Sequence, residues 1–169
     1  VRAKEIADFM DKYMVPEKNT FNVSYRCGAA QMYALLSKLF PEEKEQYLSF
    51  ARANAHDAIK HITNDGLLYG ESGRVISDNG CFDVDLGYEA EESIPSLYSY
   101  AVIANDNDVM EKTVLLAREI SNFYLPDGAL DNSFGSRSAK WTYWGSRTSD
   151  GCQLAFCDLS SIDSLFGEI

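Results

Sequence analysis

The chain has 169 residues, enough for one domain with a sizeable core, and its 46% hydrophobic and 24% charged residues are typical of a globular protein. Its 26 acidic and 15 basic residues leave a net charge of −11, which argues against general binding to nucleic acids or anionic membranes. No apolar run in the sequence approaches the roughly 18 residues that a membrane-spanning helix needs.

Hydrophobic spacing in the first half predicts a surface helix, an enclosed helix and a second surface helix. The helical pattern from Arg2 to Met14 ends before Pro16. From Tyr25 to Phe40 apolar residues cover nearly the whole circumference, which is typical of a helix enclosed by others. The next helix, from Pro41 to about Asn64, has a single apolar stripe and therefore belongs on the surface.

The second half repeats this alternation. A helix from Glu91 to Ala104 is apolar almost all round, and Pro95 has to lie in its first turn. A surface helix follows from about Asp108 to Tyr124, opening with Asp108 and Glu111 at capping-box spacing. A last helical stretch begins near Asp150.

An internal repeat relates the two halves. Asp65-Gly66-Leu67-Leu68 aligns with Asp127-Gly128-Ala129-Leu130 at an offset of 62 residues, and each Asp-Gly pair opens a long connection. Outer and inner helices that alternate around a centre form an α/α toroid. We therefore predict an all-α fold, an incomplete toroid of three helical hairpins with long inter-helix loops. An irregular helical bundle or solenoid is the alternative.

We expect one domain over residues 1–169 that is a fragment of a larger toroid, because the chain begins without Met and stops abruptly. No metal site is expected. His56 and His61 are five residues apart on a predicted helix, about 140° apart around its axis. The four cysteines form no Cys-x-x-Cys pair. Motifs for nucleotides, phosphate and calcium are absent from the sequence, so no cofactor is expected.

The segment 136–147 reverses the charge of the chain. It contains no acidic residue, three basic residues and both tryptophans: Arg137, Lys140, Arg147, Trp141 and Trp144. Flat aromatic faces stack on sugar rings, and Arg side chains bind carboxylates or sulfates bidentately. The segment therefore predicts a binding site for an acidic carbohydrate. Alternatively, its aromatic residues pack the loop down and its cations pair with the acidic excess.

An acidic run over 83–92 leads into the second enclosed helix. Its carboxylates, Asp85 and Glu89 among them, could face the toroid interior and bind substrate or act as general acid or base. The alternative is helix capping, which in the sequence explains Glu91 and Glu92 better than Asp85.

The start of the first enclosed helix is equivalent by the repeat to the start of the second. Tyr25 and Arg26 therefore lie on the same rim of the toroid as Tyr88 and the turn over 147–150. We expect Tyr25, Arg26 and Tyr88 to contact substrate, although their convergence follows from the architecture.

Three segments, beginning at Asp85-Leu86-Gly87-Tyr88, Leu125-Pro126-Asp127-Gly128 and Lys140-Trp141-Thr142-Tyr143, resemble the helical toroid domain of heparinase II/III-like proteins. The resemblance covers about residues 80–155. It implies a polysaccharide lyase in which the toroid precedes a β-sandwich and a groove between them binds an acidic glycan. It offers Asn132 or Arg147 to neutralise the uronate carboxylate, and Tyr143 as base or acid. The chain departs from the family's pattern because its two histidines lie on a predicted outer helix.

We therefore expect a carbohydrate-active, lyase-like domain that binds or cleaves a uronate-containing polysaccharide by β-elimination. Two alternatives stay open. One is a glycoside hydrolase with paired carboxylates from Asp85, Glu89, Glu91 or Asp150, and the other is a non-catalytic helical module that binds glycans or has a structural role. The expected partners are the acidic polysaccharide and the remainder of the parent chain, with no nucleic acid and no membrane. The open edge of the toroid predicts self-association of this chain, and the substrate class favours an extracytoplasmic location.

Overall fold

The computed structural model describes residues 2–13, 22–71, 82–126, 130–131 and 155–167. Six helices lie in this part of the chain: α1 Arg2–Tyr13, α2 Val23–Leu39, α3 Lys44–Ala58, the single turn α4 Leu86–Tyr88, α5 Ile94–Ala104 and α6 Asn107–Ser121. Further single helical turns cover Pro41–Glu43, Ile59–His61, 155–159 and Ser164–Gly167. A π-helical turn, Glu89–Ser93, joins α4 to α5. The prediction of an all-α fold is confirmed, since extended pairing within the described residues is limited to isolated bridges.

In the described helices, the alternation of more buried and more exposed helices is seen in α2 with α3 and in α5 with α6, although Leu35 and Leu39 of α2 and Val102 of α5 are exposed. Helix α2 packs against both α3 and α5, and α5 in turn packs against α6. Small residues let the α2 and α3 backbones approach closely, among them Ala30, Ala34, Ala51 and Ala55, each fully buried. The surface helix α6 buries a single stripe through Val109, Leu116 and Ile120. The incomplete α/α toroid stays a prediction.

The two copies of the internal repeat form the same backbone hydrogen bonds. An isolated antiparallel bridge joins Ile62 to Leu68, and a second joins Tyr124 to Leu130, 62 residues further along. The bond from Tyr69 N–H to His61 O has its counterpart from Asp131 N–H to Phe123 O at the same offset. The surface helices α3 and α6 are therefore each followed by the same small pattern of backbone hydrogen bonds, called here the backbone clasp.

This clasp corrects the predicted end of the third helix. The helix was expected to reach Asn64, but α3 ends at Ala58, and Ile62 is extended with ψ near 121°. Its bridge to Leu68 requires an extended backbone, so the helix has to end before it.

The second enclosed helix begins earlier than predicted. Asp85 caps the first turn, and helical backbone continues from Leu86 through the π turn to Ala104. Within the π turn, Ile94 N–H bonds to Glu89 O, five residues earlier. Pro95 follows directly and lies in the first turn of α5, as predicted. Because a proline ring clashes with the carbonyl four residues before it, a wider turn lets the helix pass this point.

The cap of α6 also differs from the prediction. Asp106 is the capping residue, since its Oδ1 accepts a hydrogen bond from Val109 N–H at 3.3 Å. Asp108 is the second residue of the helix, in its first turn, and is exposed. No helix among the described segments combines the length and apolarity needed to span a membrane.

Candidate functional site

A cleft of about 500 Å³ lies between the first turns of the two enclosed helices. One wall belongs to α2 and the other to the π turn and the start of α5. Ten residues line it: Met10, Ser24, Tyr25, Gly28, Ala29, Gln31, Glu91, Glu92, Pro95 and Ser96. Its volume is within the range of small-molecule sites, roughly 300–1,000 Å³. We treat this cleft as the candidate site.

The α2 wall presents an aromatic rim above an open floor. Tyr25 is 44% exposed at the rim. Three residues further along the chain, Gly28 leaves empty space, because a Cβ atom there would meet nothing within 4 Å. Ser96 Oγ donates to Gln31 Oε1 at 3.2 Å, which ties the two walls together. The α2 wall therefore leaves open space at Gly28.

The opposite wall is acidic. Glu91 and Glu92 come from the same π turn, and both are half-buried. A glycosidase of the predicted hydrolytic type needs two carboxylates that flank the scissile bond. The α2 wall of the described cleft carries no carboxylate, so these two acids do not face a partner across it.

Three more carboxylates lie buried behind this wall. Glu71 is fully buried and accepts from the backbone N–H and the hydroxyl of Ser24. Burial, with a smaller contribution from the charges of Glu92 and Asp85, raises the pKa of Glu71 to about 7, although the hydrogen bonds from Ser24 lower it. This carboxylate ties the loop after α3 to the first turn of α2.

Glu89 and Asp85 complete the buried group. Burial raises the pKa of Glu89 well above its ordinary value of 4.5, and the neighbouring Glu71 and Asp85 carboxylates add to this. Leu68 N–H approaches Glu89 without completing a hydrogen bond of good geometry. Asp85 accepts from Tyr88 N–H at 3.4 Å as the cap of α4. The capping role therefore belongs to Asp85, and not to Glu91 and Glu92, for which the sequence favoured it.

Arg26 lies outside the cleft lining. Its guanidinium pairs with Asp57 of α3, and Nη1 lies 3.4 Å from Nε2 of His61. Burial and the charge of Arg26 both lower the pKa of His61. These three side chains join the start of α2 to the end of α3.

Of the residues predicted to bind substrate, Tyr25 lines the cleft, Asp85 and Glu89 are buried behind it, and Tyr88 is half-buried in α4. Seven predicted residues lie outside the described part of the chain: Asn132, Arg137, Lys140, Trp141, Tyr143, Trp144 and Arg147. Within the described segments no group of three or more His, Cys, Asp or Glu side chains could hold a metal ion.

Sequence reasoning missed two residues that shape this site. The sequence placed Glu71 only in a long connection. A loop has no hydrophobic periodicity from which the burial of a carboxylate could be predicted. Gly28 carried a usable sign, since an isolated glycine inside a helical pattern often has a packing or functional reason. Its neighbours Ser24 and Cys27 are buried, so the open space at Gly28 stands out only in three dimensions.

Comparison with known families matches residues 1–169 to the ulvan lyase N-terminal domain. The chain belongs to this family. A broad-specificity ulvan lyase from Formosa agariphila is 45% identical over 107 residues, which are 62% of this chain and 17% of that relative. No solved structure gives a significant match.

Membership of the ulvan lyase N-terminal family confirms the resemblance to polysaccharide lyases. The more specific likeness to heparinase II/III-like toroids stays a prediction. This chain matches only about a sixth of the ulvan lyase from Formosa agariphila.

Proposed function

We propose that this chain is the helical part of a polysaccharide lyase that cleaves a uronate-containing acidic polysaccharide by β-elimination. The observation that carries the proposal is the match of the whole chain, residues 1–169, to the ulvan lyase N-terminal family. The 45% identity to an ulvan lyase supports the same class of substrate. In this reaction a base removes the proton next to the uronate carboxylate. The glycosidic oxygen then leaves and is protonated as a carbon–carbon double bond forms.

The cleft supplies a place for sugar but not for the charge of a uronate. Glu91 and Glu92 line it, and none of the described residues lining it is basic. An acidic polymer needs cations to bind, since like charges in a partly buried site repel. We therefore propose that the basic segment, with Arg137, Lys140 and Arg147, holds the acidic units.

The catalytic roles proposed here come from the resemblance described above. Asn132 or Arg147 neutralises the uronate carboxylate, and Tyr143 serves as base or acid. Trp141 and Trp144 stack on the sugar rings. In this proposal the chain is one part of an α/α toroid, and a β-sandwich from the remainder of the parent protein forms the other side of the groove. The substrate class favours action outside the cytoplasm.

Ultraviolet absorbance tests the reaction. The full-length protein is incubated with ulvan and with other uronate polymers, because elimination leaves an absorbing unsaturated uronate and hydrolysis does not. We expect rising absorbance that is lost in Tyr143→Phe and kept in Tyr69→Phe, a half-buried tyrosine of the loop after α3. New reducing ends without a rise in absorbance would show hydrolysis, and the protein would then be assigned as a glycoside hydrolase instead of a lyase. Glycan binding without cleavage would leave a binding module.

A further inference from the structure

We propose that the cleft between α2 and α5 is a subsite for an uncharged sugar ring, and that Gly28 keeps this subsite open. The proposal deepens the proposed function and rests on it, because it concerns one unit of a glycan whose acidic units are held elsewhere.

The first argument is that neither the backbone conformation nor the packing of the described structure requires glycine at position 28. Glycine inside a helix costs about 1 kcal/mol relative to alanine. Among the described glycines, positive φ angles occur at Gly66 and Gly70 and not at Gly28, so its backbone would accept other residues. A Cβ atom at Gly28 would also meet nothing within 4 Å, so no neighbouring group of the described structure needs the space. Within the described structure, the space beside Gly28 is therefore open to close approach by a ligand.

The second argument is the charge of the cleft. Glu91 and Glu92 line one wall, and Glu71, Asp85 and Glu89 are buried behind it. The cation nearest in sequence to the α2 wall, Arg26, is paired with Asp57. Among the residues that line the cleft, the charged ones are Glu91 and Glu92, which would repel a carboxylated or sulfated ring. An uncharged ring avoids that repulsion.

The third argument is the chemistry of the lining. Carboxylates accept hydrogen bonds from hydroxyl groups, and the amide of Gln31 can donate as well as accept. Tyr25 offers an apolar face with a polar hydroxyl at the rim. A hydroxyl-rich ring that lies over Gly28 could use all of these groups. The cleft therefore discriminates among the units of a mixed polymer by rejecting charge.

Binding of single sugars to the full-length protein tests this directly. Methyl glycosides of neutral sugars and methyl glycosides of uronic acids, with a free carboxylate, are titrated by ligand-detected NMR against Gly28→Leu. Gly28→Ala is the matched control. The alanine methyl group fits the empty space, whereas a leucine side chain fills it. We expect Gly28→Leu to weaken binding of the neutral glycosides by at least about tenfold, equivalent to 1.4 kcal/mol, and Gly28→Ala to retain it. Thermal melting checks that both variants are folded.

A second variant tests the role of charge without altering the shape of the cleft. Glu92→Gln keeps the size of a half-buried side chain and removes one negative charge. We expect Glu92→Gln to raise the affinity for the methyl glycosides of uronic acids relative to the neutral methyl glycosides. The proposal is overturned if Glu92→Gln leaves the affinity for uronic acid glycosides relative to neutral glycosides unchanged, or if Gly28→Leu and Gly28→Ala bind neutral rings alike.

The lyase proposal fails separately. It fails if no uronate polymer gives an unsaturated product, whatever the outcome of the binding titrations. If the polymers are cleaved and Gly28→Leu still binds neutral rings normally, only the subsite is wrong.

Discussion

The carboxylate of Glu71 accepts two hydrogen bonds from Ser24, one from the backbone N–H at 2.9 Å and one from the hydroxyl at 3.0 Å. The two residues are 47 positions apart in the sequence, and both are buried. The first N–H groups of a helix have no partner within the helix, and its positive end attracts an anion. A loop carboxylate therefore caps α2 from outside, directly beside the candidate cleft.

Glu71 makes stability depend on pH. Its pKa rises from 4.5 to about 7 in the folded protein because it is buried. The folded state thus holds its proton more tightly than the unfolded state, and stability falls as the pH rises from about 4.5 to 7. At 1.36 kcal/mol per pKa unit, the loss is about 3 kcal/mol. Glu71→Gln keeps an acceptor for Ser24 N–H and should flatten this decline in urea unfolding at several pH values.

Glu42→Gln is the matched control for Glu71→Gln, because Glu42 is exposed in the turn before α3. It should leave the pH dependence of the unfolding free energy unchanged. An equally steep decline in Glu71→Gln would show that other groups, such as Glu89, cause it.

Asp106 joins the start of α6 to two other helices. Its Oδ2 lies 2.8 Å from His56 Nε2 and 2.8 Å from the hydroxyl of Tyr100, and its Oδ1 caps α6. Asp106→Ala should cost about 2 kcal/mol or more, since it removes a cap and leaves buried donors without an acceptor. Asp108→Ala, at the exposed position where the sequence placed the cap, should cost about 0.5 kcal/mol. Thermal unfolding of the two variants compares them, and equal losses would contradict the observed cap.

Acid should remove the contribution of Asp106. Burial raises its pKa, but the hydrogen bonds from His56, Tyr100 and Val109 N–H outweigh burial and hold the pKa below the ordinary 3.8. Its stabilising effect is therefore present above about pH 4 and is lost as the pH falls further. The difference in unfolding free energy between Asp106→Ala and the unmodified chain should shrink in acid.

Gly66 is required by conformation and by packing. Its φ is +91°, and a Cβ atom there would lie 2.9 Å from the backbone oxygen of Leu115 in α6. Gly66→Ala should destabilise the chain by about 2 kcal/mol through strain and displacement of α6. Gly28→Ala is the matched control, because the same change in an open helical position should be neutral or stabilising by up to about 1 kcal/mol. Chemical denaturation measures both, and a neutral Gly66→Ala would refute the close approach to α6.

The positive charge of Arg26 contributes to the low pKa of His61. Burial of the His61 imidazole is the main cause of its lowered pKa, the charge of Arg26 lowers that pKa further, and Asp57 opposes both. Arg26→Ala removes the positive charge and leaves Asp57 to stabilise the protonated ring, so the pKa of His61 should rise. NMR of the two histidine rings follows this, with His56 as the internal reference. An unchanged His61 would mean that Arg26 does not lie beside it in solution.

Exposed apolar side chains predict self-association of the isolated chain. Ile6, Leu35, Leu39 and Val102 are each between 45% and 66% exposed. Light scattering should therefore detect species larger than a monomer, and Leu39→Glu should reduce them. Lys38→Glu introduces an acid at the neighbouring exposed position as a control. A monodisperse monomer at all concentrations would refute this prediction.

The helices were largely predictable because burial imposes a local period on the sequence. Apolar residues around the whole of α2 predicted its enclosure, and the stripe on α6 predicted a surface position. The repeat at an offset of 62 residues was also visible, and it recurs in the bridges of Ile62 and Tyr124. The ends were less predictable: Asp106 and Asp108 are both suited to capping, and contacts with His56 and Tyr100 favour the first.

By itself the sequence determined an all-α chain of alternating surface and enclosed helices, because each helix shows its burial in residues three and four positions apart. It also indicated polysaccharide-lyase ancestry through short motifs. Only the tertiary structure decided that Glu71 caps α2, that Arg26 pairs with Asp57, and that space opens beside Gly28. The two contacts join residues that are distant in the chain, and the space beside Gly28 depends on which side chains do not reach it. A hydrophobic period in the sequence reports neither long-range contacts nor empty space.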